Sequence, residues 1–193
     1  MISRPSVFRV FVNTIILALF CTNISQAQTK MGEYLDVSIG LGISVPSDQT
    51  DISGSGFYAQ GEYVYNISNW VGLRPYAGLV LTSTKEATNE SNQTDYKMST
   101  KAFLLGGKVR LSIPIPWVAP YVELGVGTSM GSFETSTQFH DIIKNGILLH
   151  IPFEFGVSLG KEHTVEVGFT YYFQPAVEQV TGAAAIGLSF PLN

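Results

Sequence analysis

From residue 34 onward, connectors of two kinds take turns along the chain. Long polar segments (46–54, 84–96, 131–145, 175–181) alternate with very short ones (67–70, 114–117, 160–163). Between them lie eight runs of about ten or more residues in which apolar and polar side chains alternate. A period of two is the signature of a half-buried strand, and a helix would scatter the same residues round its surface. Long loops at one end and tight turns at the other then describe antiparallel strands arranged up and down, closing into a barrel.

The amino terminus adds a compartment. Arg4 and Arg9 form a positive segment, and Val10 to Phe20 is an apolar run too short for a transmembrane helix, which needs about 20 residues. Ser25-Gln26-Ala27 supplies the small residues that a signal peptidase reads. We therefore expect a secretory signal peptide at 1–27, cleaved after Ala27, and a single domain over 28–193. Cys21 is the only cysteine and should leave with the signal; Phe20 before it argues against a lipid anchor. A mature chain without cysteine needs no disulfide and binds no thiolate-held metal. Loss of Arg4 and Arg9 leaves 9 basic and 15 acidic residues, net −6, with no basic run, which argues against nucleic acid as a partner.

The run 34–45 is the clearest strand. Leu35, Val37, Ile39, Leu41, Ile43 and Val45 share one face, and Asp36, Ser38, Gly40, Gly42 and Ser44 the other. The runs 55–66, 71–83, 98–113, 118–130, 146–159, 164–174 and 182–190 repeat the scheme with more noise. Periodicity leaves open which face points outward, since a soluble lipocalin-like barrel would put the oily face inside. Three features favour the inverted arrangement. The polar face is rich in glycine and serine, which suit a crowded interior. Only 13% of residues are charged, against about 25% in soluble domains. The strands also match the ~9–11 residues that cross a bilayer at a tilt. The expected fold is an all-β, eight-stranded antiparallel up-and-down transmembrane β-barrel, in the outer membrane of a Gram-negative bacterium. An eight-stranded barrel has an interior just wide enough to be filled by side chains. Gly40-x-Gly42 and Gly125-x-Gly127 are therefore read as room-makers; neither sits at the strand-to-helix turn that a phosphate loop needs.

With short turns in the periplasm and long loops outside, eight ionic side chains fall in the periplasmic half of the lumen: Asp36, Glu62, Arg74, Lys108, Arg110, Glu123, Glu154 and Glu166. Five acids and three bases in so narrow a space must be paired or hydrated, which predicts a salt-bridge plug. Tyr63, Tyr65, Trp70, Trp117, Tyr171 and Phe173 are expected as aromatic anchors at the two membrane interfaces.

The layout over 34–190 resembles the small eight-stranded outer-membrane barrels of the outer-membrane protein A, X and W type, a porin-like group carrying an outer membrane protein beta-barrel domain. The resemblance includes the terminal-strand signal read by the barrel assembly machinery, here Gly187-Leu188-Ser189-Phe190, although the chain continues with Pro191-Leu192-Asn193 where the usual signal ends at the aromatic. It implies outer-membrane lipid and that machinery as partners, and a monomer.

Some barrels of this kind are lipid A deacylases or palmitoyl transferases, built on a His with a Ser or an acid near the outer rim. The candidates are His140, His150 and His163. His140-Asp141 falls in a long connector, His150 faces inward, His163 sits in a short turn, and the sequence places no serine convincingly beside any of them. No two histidines have metal-ligand spacing. We expect no cofactor and no enzyme activity. The expectation is a non-enzymatic barrel with a structural role, or one in which the segments 84–96 and 131–145 meet an extracellular partner. The alternative is a small porin-like channel or carrier for small or apolar solutes, and a lipid A-modifying enzyme stands third.

Overall fold

A computed structural model describes residues 32–46, 54–83, 97–136, 141–176 and 179–192. The segments 1–27 and 84–96 lie outside the described residues, as does His140. Eight strands follow in order: β1 (Glu33–Pro46), β2 (Gly54–Asn66), β3 (Val71–Ser83), β4 (Lys97–Ser112), β5 (Val118–Ser136), β6 (Asp141–Leu159), β7 (Val165–Gln174) and β8 (Gln179–Pro191). Each pairs antiparallel with its neighbours, and β8 closes onto β1 from Tyr34↔Pro191 to Pro46↔Gln179. Closure leaves neither of these strands as an edge.

The oily face points outward. Leu41 is 70% exposed, and Ile39, Val126, Ile147 and Ile186 are comparably bare. Asp36, Glu62, Arg74, Lys108, Glu123 and Glu154 are buried inside. The interior therefore holds the charges and the exterior the aliphatics, as a lipid-facing barrel requires.

One connector differs from the sequence reading. The segment 131–145 is mostly strand: β5 continues to Ser136 and β6 begins at Asp141, paired Ser136↔Asp141. Phe133, expected in a loop, is buried in the lumen. Alternation persists here, but the outward side chains turn polar at Ser132 and Asn145. A strand that has left the hydrocarbon needs no apolar face, so the run reads as a loop.

The short-turn end is stapled. Gly160 N–H donates to Trp117 O at 2.9 Å and His163 Nε2–H donates to Ile115 O at 3.0 Å, joining the β4–β5 and β6–β7 turns. Trp117 (φ 68°) and His163 (φ 52°) adopt the left-handed conformation, which non-glycine residues rarely take. Those bonds hold it in place.

Candidate functional site

The lumen is organised in two polar layers. In the half nearer the short turns, β1, β2, β3, β4, β5, β6 and β7 each contribute at least one inward ionic side chain. Register brings them to adjoining levels: Asp36↔Glu62, Arg74↔Lys108, Arg110↔Glu123 and Glu123↔Glu154 are direct partners. All eight ionic residues named from the sequence lie in this cluster.

Arg74 reaches four acids. Its Nη1 donates to Asp36 Oδ2 (2.6 Å) and Glu62 Oε2 (3.1 Å), Nη2 donates to Glu166 Oε1 (3.4 Å), and Nε lies 3.5 Å from Glu123 Oε1. Lys108 Nζ lies 2.7 Å from Glu62 Oε1, 2.5 Å from Glu123 Oε2 and 2.7 Å from Glu154 Oε2. Arg110 binds Glu123 Oε1 through Nε and clasps Glu166 with both terminal nitrogens, Nη2 at 2.7 Å from Oε2. Glu123 thus touches all three bases. Two-pronged guanidinium–carboxylate contacts of this kind are the strong form of the ion pair.

Hydroxyls and amides complete the shell. Tyr121 OH and Thr170 Oγ1 donate to Glu154 (3.1 and 3.0 Å), Ser158 Oγ donates to Glu166 (3.2 Å), and Ser189 Oγ to Asp36. The Arg110 guanidinium lies 3.6 Å above the Tyr121 ring, within cation–π range. Glu62, Glu123 and Glu154 offer carboxylate oxygens within 4.8 Å of one another, a disposition that would suit a cation. Lys108 Nζ sits among all three, so an ammonium takes that place.

The second layer is neutral and lies nearer the long loops. Gln60 Nε2 donates to Glu62 (2.7 Å), Tyr172 OH donates to Gln60 Oε1 (2.6 Å), and Tyr58 OH then donates to Tyr172 Oη (3.0 Å). His150 is fully buried between Tyr76 Oη at 2.5 Å from Nε2 and Ser129 Oγ at 2.7 Å from Nδ1, and Gln174 Nε2 donates to Ser129 (3.1 Å). Gly127 makes room for this group: a Cβ there would lie 2.4 Å from Tyr76 Oη and 2.5 Å from His150 Nε2. Above it Leu104, Val80 and Phe133 pack with Tyr58, Tyr76 and Tyr172 into a small core.

Sequence reasoning placed no serine beside a histidine, and Ser129 corrects that. The pair comes from register, since Gly127↔His150 and Ser129↔Leu148 are partners; two inward residues on neighbouring strands would have signalled it. Tyr58 was also missed, although its parity with Gln60 gives it away. A Ser–His contact is the start of a nucleophile. Here both side chains are fully buried within the barrel.

Two polar cavities lie between these side chains. One, of about 40 Å³, is lined by Arg74, Arg110, Ser158, Glu166 and Ser189 near the short turns. The other, of about 20 Å³, lies among Asp36, Glu62, Tyr121, Glu154 and Glu166. Each has room for a water or two.

The remaining sequence candidates lie on the outside. Tyr63, Tyr65, Trp70 and Trp117 are exposed at or near the short-turn end, with Tyr171 and Phe173 exposed further toward the long-loop end. In the terminal motif, Gly187 points inward opposite Ser38, while Leu188 and Phe190 are exposed on the outer face opposite Val37 and Leu35.

The profile of a family described as "Outer membrane protein beta-barrel domain" matches residues 14–178. The chain belongs to this family. Its members reside in the outer membrane of Gram-negative bacteria. Among solved structures, Neisserial surface protein A (NspA) is similar with a TM-score of 0.56 at 15% identity, covering 83% of this chain and 97% of that one. Ail, the attachment invasion locus protein of Yersinia pestis, is similar at 0.48 and 17% identity (83% and 99% covered), and the outer membrane enzyme PagL at 0.49 and 12% identity (81% and 99%). At such identities the likeness is one of fold. No curated protein sequence matches the chain.

Proposed function

We propose that this protein is a non-enzymatic outer-membrane barrel that stabilises the envelope and presents its long-loop end to an extracellular partner. The observation that carries this reading is the filled lumen. Eight ionic side chains close the half nearer the short turns, and a neutral aromatic and amide layer closes the other. Among the described residues, the cavities between these side chains are water-sized, too small for a hydrated solute. Catalysis at outer-leaflet lipid is disfavoured on the same ground, because the Ser129–His150 contact, the one Ser–His contact among the described residues, is enclosed by the barrel wall.

On this reading the segment 1–27 is a secretory signal cleaved after Ala27, the short turns and both termini face the periplasm, and the mature chain is a monomer. Gly187, Leu188 and Phe190 serve as the assembly signal on β8. The exposed aromatics at the two ends anchor the barrel at the membrane interfaces.

Purified protein reconstituted in planar bilayers tests the central claim. The expected record is a quiet baseline; steady nanosiemens-scale steps would establish the porin-like reading. Expression in a host with unmodified lipid A, followed by mass spectrometry of that lipid, should give no mass shift, and a loss or gain of an acyl chain would establish the enzymatic one.

A further inference from the structure

Large side chains cover most of the lipid-facing wall, but one patch of it is bare. Across β1 to β4 one outward row reads Val37, Gly61, Ala77, Leu105, and the row on its long-loop side reads Ile39, Ala59, Leu79, Phe103. Ala59, Gly61 and Ala77 sink below their neighbours. They floor an apolar groove of about 290 Å³, walled by Val37, Leu79 and Phe103.

The barrel itself has no use for this space. Among the described strand residues three glycines face outward: Gly61, Gly107 and Gly182. A Cβ on Gly182 would stand 2.9 Å from the Phe169 ring, so packing within the barrel accounts for that one. A Cβ on Gly61 would meet nothing nearer than 4.0 Å, and one on Gly107 nothing within 4 Å. Neither has a positive φ. Both sit in continuous ladders, Gly61 between Val37 and Ala77 and Gly107 between Pro75 and Val126, so neither marks a bulge. Glycine weakens a strand interior, and in regular pairing it marks a place where another group approaches the backbone closely. Among the described residues no side chain fills the groove, so the room serves a group outside the chain.

Its dimensions select the occupant. Neighbouring strands lie about 4.8 Å apart, so Val37 and Leu105 rise from backbones roughly 14 Å apart, and their side chains narrow that gap. An α-helix with its side chains is about 10–12 Å across and cannot reach the floor. A second barrel presents a convex wall, which would rest on Val37 and Phe103 and leave the floor uncovered. A single hydrocarbon chain fits. Toward the long loops the next row carries Phe57 and Leu81, which close the groove. Toward the short turns Pro75 and Gly107, paired with each other, keep the floor low. The groove therefore opens toward the short-turn end, where Tyr63 and Trp70 are exposed and where such rings meet lipid headgroups.

We propose that this groove holds one acyl chain of a phospholipid from the leaflet on the side of the short turns. The proposal rests on the reading that the protein spans the outer membrane with its short turns in the periplasm, which makes this the periplasmic leaflet. Lipid tails are as apolar as the groove, so transfer from water contributes nothing here. The chain is held by dispersion contacts, which grow where small residues let it lie against the backbone. On the opposite wall Phe153, Phe155 and Phe169 form a ridge of touching rings, and a chain there meets only side-chain tips. The grooved lipid therefore leaves more slowly than the rest of the shell around the barrel.

The test folds the barrel into phosphatidylethanolamine vesicles doped with the same lipid carrying a diazirine in mid-chain. The protein is then exchanged into a maltoside detergent and illuminated, and native mass spectrometry counts the phospholipid that stays bound. Wild type should retain one phospholipid per barrel, with adducts on residues 59–61 and 75–79. Gly61→Leu/Ala77→Leu fills the groove and should lower the retained fraction at least fivefold. Val167→Leu, on the opposite wall, should leave it within twofold. A diazirine placed in the headgroup should mark residues 63–73 at the short-turn rim; marking of residues 81–101 instead would overturn the choice of leaflet. The proposal is overturned if wild type retains no phospholipid, if the filled variant retains as much, or if the adducts fall on other strands. Should the filled variant not fold, the position of the wild-type adducts still decides. The heat-shifted gel band of wild type in vesicles tests the transmembrane reading separately. Its absence would overturn that reading, whereas a folded barrel without bound lipid overturns the groove alone.

Discussion

Replacing Lys108 by Met removes one charge at nearly constant volume from the centre of the plug. Lys108 is fully buried and holds three carboxylates at 2.5 to 2.7 Å. Those acids do not suffer equally. Glu62 keeps Arg74, and Glu123 keeps Arg74 and Arg110. Among the described residues, Glu154 keeps only the hydroxyls of Tyr121 and Thr170. The variant therefore leaves one buried carboxylate without a cation. Removing one partner of a buried pair costs about 3–5 kcal/mol, a drop of roughly two to four orders of magnitude in the folding equilibrium. Urea unfolding in lipid vesicles, followed by tryptophan fluorescence and by the heat-shifted band of a folded barrel, measures it. If the cost is the orphaned Glu154, then Lys108→Met/Glu154→Gln should be more stable than Lys108→Met by at least about 1 kcal/mol, a coupling expected between residues in one network. A single variant within about 1 kcal/mol of wild type, or a double variant no better than the single, would refute the reasoning.

Arg74→Met and Arg110→Met should each lower stability by a similar amount, and an unchanged unfolding midpoint in both would show the plug to be energetically idle. Lys108→Ala leaves the oxygens of Glu62, Glu123 and Glu154 facing a vacated space, so millimolar Ca²⁺ or Mn²⁺ should raise the melting temperature of this variant and not that of wild type. Gly127→Ala drives a methyl against Tyr76 and His150 and should cost about 1–3 kcal/mol. Gly107→Ala, where a Cβ meets nothing within 4 Å, should stay within about 0.5 kcal/mol of wild type by the same urea assay.

The barrel was legible in the chain because a strand writes its two environments in alternate residues. Leu35 to Val45 against Asp36 to Ser44 is enough to define two faces, and eight such runs with unequal connectors define the topology. The inward position of the eight ionic residues follows from the same parity. What parity cannot carry is register between strands. Arg110 and Glu123 are neighbours because β4 and β5 pair as they do, and no local signal fixes which carboxylates Lys108 will gather. The Ser129–His150 contact was hidden for the same reason. Residues 131–145 read as a loop in the sequence because the usual oily face disappears once a strand leaves the lipid.

The sequence by itself determined the strand count, the lipid-facing side and the identity of the charges that fill the lumen, since each is a property of a residue and its nearest neighbours along the chain. Only the tertiary structure decided that Lys108 takes the place of a metal cation among three glutamates, that the Ser129–His150 contact is sealed inside the barrel, and that the β5–β6 ladder outruns the β6–β7 ladder. These depend on the stagger between strands that closes the cylinder, and stagger is set by the packing of all eight strands together.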